Sequence, residues 1–210
     1  VAKESKVFKN VIAIEPTPEL AEACRKRGIN VIEERIEDIS TDTFSADVLV
    51  AFEVIEHLFD PVKFIHKTSK LLKKNGLLIL TCPNVEGFDI VELGSQSLAV
   101  DAEHVNLFNP SSLVKLIQKF NYQIIEISTP GRLDAEFVRE AVLKKKHNLH
   151  SEFLKKILID EWEKHGNNFQ KFLSNSNLSS HMWLVAKKNW SIMKKLNNKI
   201  QDNIKKCYAT

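Results

Sequence analysis

Short apolar runs alternate with stretches of helical periodicity along most of the chain. The runs at residues 11–14, 30–33, 47–52 and 77–81 are four to six residues long, which suits strands of a buried sheet. Helical patterns begin at Thr17-Pro18 and Asp60-Pro61, and a capping side chain followed by proline is typical of a helix N-terminus. This alternation predicts βα units and a largely parallel sheet, that is, an α/β fold.

The second half of the chain continues with helices and two further strands. Asn109-Pro110 predicts another helix start, and residues 122–128 and 182–186 have the composition of strands. Between these strands, residues 131–178 place apolar side chains at helical spacing and are predicted to form a helical insertion.

The remaining residues predict the domain boundaries. Apolar residues recur at helical spacing from Met193 to Cys207, which predicts a C-terminal helix. We therefore expect one domain over residues 1–188, which includes the insertion at 131–178, and a helical tail over residues 189–210.

Composition narrows the class of protein. The 210 residues, 43% of them hydrophobic, are enough for one sizeable core. The three cysteines, Cys24, Cys82 and Cys207, are widely spaced and odd in number, which indicates a reducing compartment and predicts a cytoplasmic protein. No apolar run approaches the roughly 18 residues of a membrane span, and the N-terminus lacks the apolar core of a signal peptide. We expect no membrane partner.

The net charge of +3 conceals an uneven distribution. From Lys144 onward the chain carries 14 lysines against 5 acidic residues. A basic segment of this kind could contact nucleic acid. However, the lysines are scattered and interleaved with few aromatic residues, which is typical of a solvated helical face. We favour that interpretation and do not expect nucleic acid as a partner.

The first candidate for chemistry is Glu15, which ends the apolar run VIAI and precedes Pro16. A carboxylate at the carboxyl end of a parallel strand can accept hydrogen bonds from both hydroxyls of a ribose. The alternative is an exposed acid that only ends a strand, and the residues alone leave both interpretations open.

A second group follows the strand at residues 47–52. Glu56 and His57 lie three and four positions after Glu53, and residues at such spacings are neighbours on one side of a helical turn. They could bind a divalent metal or supply a base, and helix capping with a hydrogen-bonded histidine is the alternative. His104, in a loop after the fourth strand, would lie over the same sheet edge as a candidate general base or substrate contact.

Taken together, these segments resemble the class I S-adenosylmethionine-dependent methyltransferases, and within them the group that includes the ubiquinone-biosynthesis O-methyltransferases. The resemblance covers about residues 8–122 well and the final strands loosely. It is carried by the order and spacing of NVIAIEPTPELAEACRKRGINVIEERIEDI, ADVLVAFEVIEHLFDPVKFIHKTSKLLKKNGLLILTCPN and AEHVNLFNPSSLVKLIQKFNYQIIEIS. It implies a Rossmann-like sheet, mostly parallel, with an antiparallel last strand.

The resemblance also implies a binding site for S-adenosylmethionine. Glu15 and Pro16 would lie at its ribose, and Ile36 and Glu37 beside its adenine. Arg35 stands where many relatives have an aspartate that binds the adenine amine, so that contact is not carried over.

For the reacting end of the cofactor, the resemblance implies a second set of residues. Phe52 and Glu53 would lie near the methionine part. Glu53, Glu56 and His57 reproduce an E-x-x-E-H pattern that is associated with a divalent metal such as Mg²⁺ in the ubiquinone-type enzymes. The implied reaction is methyl transfer to a small-molecule acceptor, with O-methylation favoured, with His57 or His104 as the base and with the insertion over the acceptor site.

In the family, a strand and a glycine-rich loop precede the acid that corresponds to Glu15. Residues 1–5, VAKES, resemble the end of the helix that follows this loop, so we expect the chain to lack the first strand and the loop. Exposed strand edges, or the C-terminal helix, would then allow a homo-oligomer.

Three other functions remain open. A non-catalytic methyltransferase-like binding or regulatory domain, or an inactive fragment, would explain the expected loss of the loop. A nicotinamide-dependent oxidoreductase also places an acid after its second strand, but it does not explain the EVIEH segment. A nucleic-acid methyltransferase would bind RNA or DNA with an affinity that falls with salt, but an Asn/Asp-Pro-Pro-aromatic tetrad is absent.

Overall fold

The computed structural model describes residues 7–189, and these fall into two compact units that divide between Ser45 and Ala46. The C-terminal helix predicted over residues 189–210 lies outside the described residues apart from Asn189. No helix in the described part of the chain is long and apolar enough to cross a membrane.

The first unit is a βαβ arrangement. Strand β1 (Ile12–Ile14) and strand β2 (Asn30–Ile32) flank helix α1 (Pro18–Lys26), and the two strands pair in parallel. Thr17 occupies the position before the helix, as predicted, but its side chain makes no capping hydrogen bond. Gly28 adopts a φ of 71° just after α1, a conformation that glycine reaches without a steric penalty.

The second unit contains the remaining strands and helices. Its strands are β3 (Ala46–Phe52), β4 (Leu72–Pro83), β5 (Tyr122–Ser128) and β6 (His181–Lys188). Its α-helices are α2 (Pro61–Leu71), α3 (Phe88–Leu93), α4 (Pro110–Gln118), α5 (Asp134–Leu143), α6 (Glu152–Lys155) and α7 (Trp162–Asn175). A short 3₁₀ turn lies at Ile55–His57, and a π-helical turn at Lys156–Asp160.

The four strands of this unit form one sheet in the order β3-β4-β6-β5. Strand β3 runs parallel to β4, while β6 runs antiparallel to both β4 and β5. Three strands therefore share one direction and the last opposes them, which confirms the predicted sheet of mostly parallel strands with an antiparallel last strand. The first residues of β6 consequently lie at the edge where β3 and β4 end.

One face of this sheet is buried. Leu78, Leu80 and Cys82 of β4 lie opposite Ala186, Leu184 and Met182 of β6, and all six side chains are fully buried. In β3 the burial alternates, because Leu49 and Ala51 are buried while Val50 and Phe52 are each 52% exposed. Among the described residues, only one face of β3 is therefore covered.

The helix starts follow from local capping. The side chain of Asp60 accepts a hydrogen bond from the backbone nitrogen of Lys63 at 2.8 Å, and α2 begins at the next residue, Pro61. Asn109 and Ser112 cap α4 reciprocally, each side chain bonding to the backbone nitrogen of the other. Both starts were predicted, because a capping side chain and a following proline act within one turn.

Helices α5, α6 and α7 occupy the region whose apolar spacing predicted a helical insertion. Helices α5 and α7 and the π-helical turn share a small core of Ala135, Val138, Leu158 and Leu173, to which Leu93 of α3 contributes, and Leu154 of α6 packs against it. Helix α3 was not predicted from the sequence. It has only six residues, too few for a helical period to be recognised.

Candidate active site

The chain turns sharply where β3 ends, at Glu53. This residue has a φ of 51°, a conformation that residues with a side chain seldom adopt and that often marks a functional position. Its backbone N–H donates to the carbonyl oxygen of Thr81 on β4 at 3.1 Å. The Thr81 hydroxyl in turn donates to Oε1 of Glu53 at 2.6 Å. The neighbouring strand therefore holds both the backbone and the carboxylate of Glu53.

A side chain from β6 reaches the same carboxylate. Nδ1 of His181 lies 3.4 Å from Oε1 of Glu53, and both side chains are about half exposed. Two residues further along β6, the ring of Trp183 stacks on that of Phe52, with centroids 6.0 Å apart and planes inclined by 26°. The end of β3 is thus held from two strands.

Glu56 is the most unusual acid in the described part of the chain. Its side chain is fully buried in the 3₁₀ turn, and neither carboxyl oxygen has a hydrogen-bond partner among the described residues. Burial raises the pKa of Glu56, and the nearby charge of Glu53 raises it further. An unpartnered buried polar group costs about 1–3 kcal/mol, so such a carboxyl is a candidate for a functional role.

Two histidines lie beside Glu56. Nε2 of His57 is 4.0 Å from Oε1 of Glu56, and the rings of His57 and His104 have centroids 4.6 Å apart. Nδ1 of His57 lies 3.1 Å from the Glu103 carbonyl oxygen, and Nδ1 of His104 lies 2.9 Å from the Ala99 carbonyl oxygen. A carbonyl can only accept, so in the neutral imidazole each proton sits on Nδ1 and Nε2 keeps its lone pair.

Hydrogen bonds within the loop that contains His104 explain its position. Oδ1 of Asp101 accepts from the backbone nitrogens of Glu103 and His104 at 2.8 and 3.0 Å, and these bonds lower the pKa of Asp101. The backbone nitrogen of Asn106 donates to the Glu56 carbonyl oxygen at 3.0 Å, and its side chain donates to the Leu58 carbonyl oxygen. The loop is therefore tied to the 3₁₀ turn that carries His57.

The structure thus forms a group that differs from the predicted one. One potential ligand atom each of Glu56, His57 and His104 lies within 4.8 Å of the other two. From their spacing in the sequence, Glu53, Glu56 and His57 were predicted to lie together. The positive φ of Glu53 takes it out of the helical arrangement, and its carboxylate faces Thr81 and His181 instead.

The remaining predicted site residues lie in the first unit. The backbone N–H of Glu15 donates to the Ile32 carbonyl oxygen at 3.1 Å, and Oε1 of Glu15 accepts from the backbone nitrogen of Thr17 at 2.9 Å. Pro16 is exposed, and in the loop after β2 Ile36 is buried while Glu37 is partly buried. Glu15 therefore supports the start of α1 with one oxygen, and no hydrogen bond from a described residue engages Oε2.

Sequence reasoning missed three residues of this edge, namely Thr81, His181 and Trp183. Thr81 and Trp183 lie in runs that were predicted as strands from their composition, and His181 directly precedes the second of these runs. Only the pairing register, in which Phe52 lies opposite Thr81 and Thr81 opposite Trp183, brings them beside the end of β3.

Comparison with known proteins identifies the family. The profile of a family described as a methyltransferase domain matches residues 2–127. The chain belongs to this family. A probable S-adenosylmethionine-dependent methyltransferase of Mycobacterium tuberculosis is 31% identical over 80 residues, which cover 37% of this chain and 29% of that protein. A counterpart from Mycolicibacterium smegmatis is 26% identical over 80 residues, which cover 38% and 30%. The chain thus matches less than a third of the length of these curated relatives.

Solved structures show the same fold. A methyltransferase of Thermotoga maritima, described as S-adenosylmethionine-dependent and a possible histamine N-methyltransferase, aligns with a TM-score of 0.55 at 19% identity, over 85% of this chain and 73% of that one. A cyclopropane synthase of Mycobacterium tuberculosis aligns with a TM-score of 0.53 at 13% identity, over 85% and 70%. The predicted Rossmann-like methyltransferase fold is confirmed, and fold alone does not name the reaction.

Proposed function

We propose that this chain carries out S-adenosylmethionine-dependent methyl transfer to the hydroxyl group of a small-molecule acceptor. Membership of the methyltransferase family supports the reaction class. The choice of a hydroxyl rests on the pair His57 and His104. Their Nδ1 atoms face backbone carbonyls, so in the neutral ring each Nε2 keeps a lone pair. A hydroxyl must lose its proton when it is methylated, and a positioned histidine can take it.

The described residues have groups that fit the cofactor. S-adenosylmethionine supplies a methyl group on a positively charged sulfur. Oε2 of Glu15 is available to accept from a ribose hydroxyl while Oε1 supports α1. In the first unit, Ile36 and Glu37 are the residues proposed for the adenine. In the second unit, considered by itself, Phe52 would provide apolar contact, and the Glu53 carboxylate would accept from the ammonium of the methionine part.

One of the two histidines would remove the proton of the acceptor hydroxyl. Nε2 of His57 or of His104 would take it as the oxygen acquires the methyl group. The imidazolium that forms on His57 would lie 4.0 Å from Oε1 of Glu56, and its positive charge would favour ionisation of that buried carboxyl, which would then offset the charge. Positioned bases of this kind contribute about 10²–10⁴-fold to a rate. Helices α5 to α7 would cover the acceptor and select it.

Calorimetric titration with S-adenosylhomocysteine tests the cofactor assignment. The unmodified chain should bind saturably, and Glu15→Ala should lose most of this affinity. Glu19→Ala removes an exposed acid from the first turn of α1 and is the matched control, which should bind as the unmodified chain does. Absence of binding by the unmodified chain would overturn the proposed function and favour a non-catalytic or inactive chain.

Release of S-adenosylhomocysteine from S-adenosylmethionine, measured with separate pools of phenols, alcohols and amines, tests the acceptor class. Phenols or alcohols should support release, and His57→Gln or His104→Gln should lower the rate about 100-fold or more. Release with amines alone would refute the proposed O-methylation.

The group formed by Glu56, His57 and His104 is also a candidate site for a divalent metal. The buried, unpartnered carboxyl of Glu56 and the two Nε2 atoms would be its ligands. A set of one carboxylate and two imidazoles suits Mn²⁺, Fe²⁺ or Zn²⁺ better than the Mg²⁺ suggested by the resemblance, since Mg²⁺ prefers oxygen ligands. Titration with Mn²⁺, Zn²⁺ and Mg²⁺ tests this site: His104→Ala should abolish metal binding and Glu53→Ala should retain it. The opposite pattern would restore the set predicted from the sequence.

A further inference from the structure

The start of β6 lies at the candidate active site because this strand opposes its neighbours. His181 and Trp183 are its first and third residues, so their side chains lie on one face of the sheet. Trp183 is paired with Thr81, and Thr81 with Phe52. A row across three strands therefore leads from β6 to the residue that precedes Glu53.

Two contacts meet at one oxygen of Glu53. The Thr81 hydroxyl donates to Oε1 at 2.6 Å, and Nδ1 of His181 lies 3.4 Å from the same atom. Neither a hydrogen bond nor an ion pair from another described residue engages Oε2. A carboxylate held by one oxygen leaves the other directed to a ligand, which suits a donor such as an ammonium group.

The backbone at Glu53 makes this support necessary. A φ of 51° turns the side chain away from the path of the 3₁₀ turn, and an exposed glutamate retains several rotamers unless contacts select one. The ring of Trp183 stacks on Phe52 and so fixes the residue that precedes Glu53. His181 and Thr81 then select the direction of the carboxylate itself.

We propose that His181 is a positioning residue of the cofactor site, which holds the Glu53 carboxylate so that Oε2 faces the ammonium of the methionine part. This inference rests on the proposed function, since it assigns Glu53 to that end of the cofactor. His181 acts through Glu53 and has no separate contact with the cofactor in this scheme.

A double-mutant cycle on the binding of S-adenosylhomocysteine tests the proposal. His181→Leu should weaken binding about three- to fivefold, the order of magnitude expected for a half-exposed contact to a carboxylate. His181→Gln should recover part of the loss, because its amide can still donate to Oε1. In a Glu53→Gln background, His181→Leu should cause no further weakening, whereas a purely structural role would cost the same affinity in both backgrounds.

A control variant and a check of folding accompany this cycle. His150→Leu removes an exposed histidine of the second unit and should bind as the unmodified chain does, and thermal unfolding checks that every variant is folded. If Glu53→Gln weakens binding but His181→Leu does not, or if the two losses add, the positioning role is overturned while the proposed function stands. If the unmodified chain fails to bind, the proposed function is overturned and this inference with it.

Discussion

Replacement of Asp89 by asparagine should stabilise the protein, although it removes a native polar group. Asp89 lies in α3 and is only 3% exposed. Its Oδ2 accepts from the Ser97 hydroxyl at 3.0 Å, while Oδ1 has no hydrogen-bond partner among the described residues. Burial raises the pKa of Asp89, and the charge of Asp134 raises it further, while the hydrogen bond from Ser97 offsets part of the rise.

The magnitude follows from these contacts. An unpartnered buried polar atom costs about 1–3 kcal/mol, and more when it is charged. The asparagine carbonyl retains an acceptor for Ser97, and its amide cannot ionise. We therefore expect Asp89→Asn to raise the free energy of unfolding by about 1–2 kcal/mol at pH 8. For a domain of this size, that corresponds to a rise of about 2–8 °C in Tm.

The gain should depend on pH in one direction. Because the pKa of Asp89 is higher in the folded than in the unfolded chain, the folded state binds the proton more tightly. Its stabilising contribution is complete below the unfolded pKa of about 3.9 and is lost as the pH rises through the folded pKa. The variant escapes this loss, so its advantage should be small near pH 4 and largest above the folded pKa.

Asp134→Asn is the matched control. Oδ1 of Asp134 accepts from the backbone nitrogen and hydroxyl of Ser180 at 2.5 and 2.6 Å, and Oδ2 accepts from Nε2 of Gln170 at 2.6 Å. The asparagine amide would direct its own N–H groups at one of these N–H or O–H donors. The free energy of unfolding of this variant should therefore fall by about 2–3 kcal/mol. Urea and thermal unfolding at pH 4.5 and pH 8 measure the stability of both variants. A destabilised Asp89→Asn at pH 8, or a gain independent of pH, would refute the reasoning.

Three further substitutions test the packing and capping of the second unit by thermal and urea unfolding. Gly87→Ala should cost about 3 kcal/mol or more, because the new Cβ would lie 2.2 Å from Cα of Ser180, and a near-neutral result would contradict this contact. Asn109→Ala should cost about 1 kcal/mol through loss of the α4 cap. Thr68→Val should lower the free energy of unfolding by about 1–3 kcal/mol, because the buried Tyr122 hydroxyl loses its hydrogen bond to Thr68. Adding Tyr122→Phe should recover part of that loss, and simple additivity would argue against the bond.

Much of the fold was predictable because its signals are local. Strand β5 has the predicted bounds, and α1, α2 and α4 begin after Thr17, Asp60 and Asn109 as their capping patterns indicated. Caps and apolar periods act over one or two turns, so neighbouring residues suffice to specify them. The resemblance likewise needed only the order and spacing of short segments to indicate the family.

The arrangement of the candidate site needed the tertiary structure. His104 reaches His57 because Asn106 ties its loop to the 3₁₀ turn, and His181 reaches Glu53 because β6 begins where β3 ends. Both neighbours depend on hydrogen bonds between residues far apart in the chain, which no local pattern encodes. The sequence by itself therefore determined which elements form and which residue types could do chemistry. Strand register and loop contacts decided which of those side chains meet.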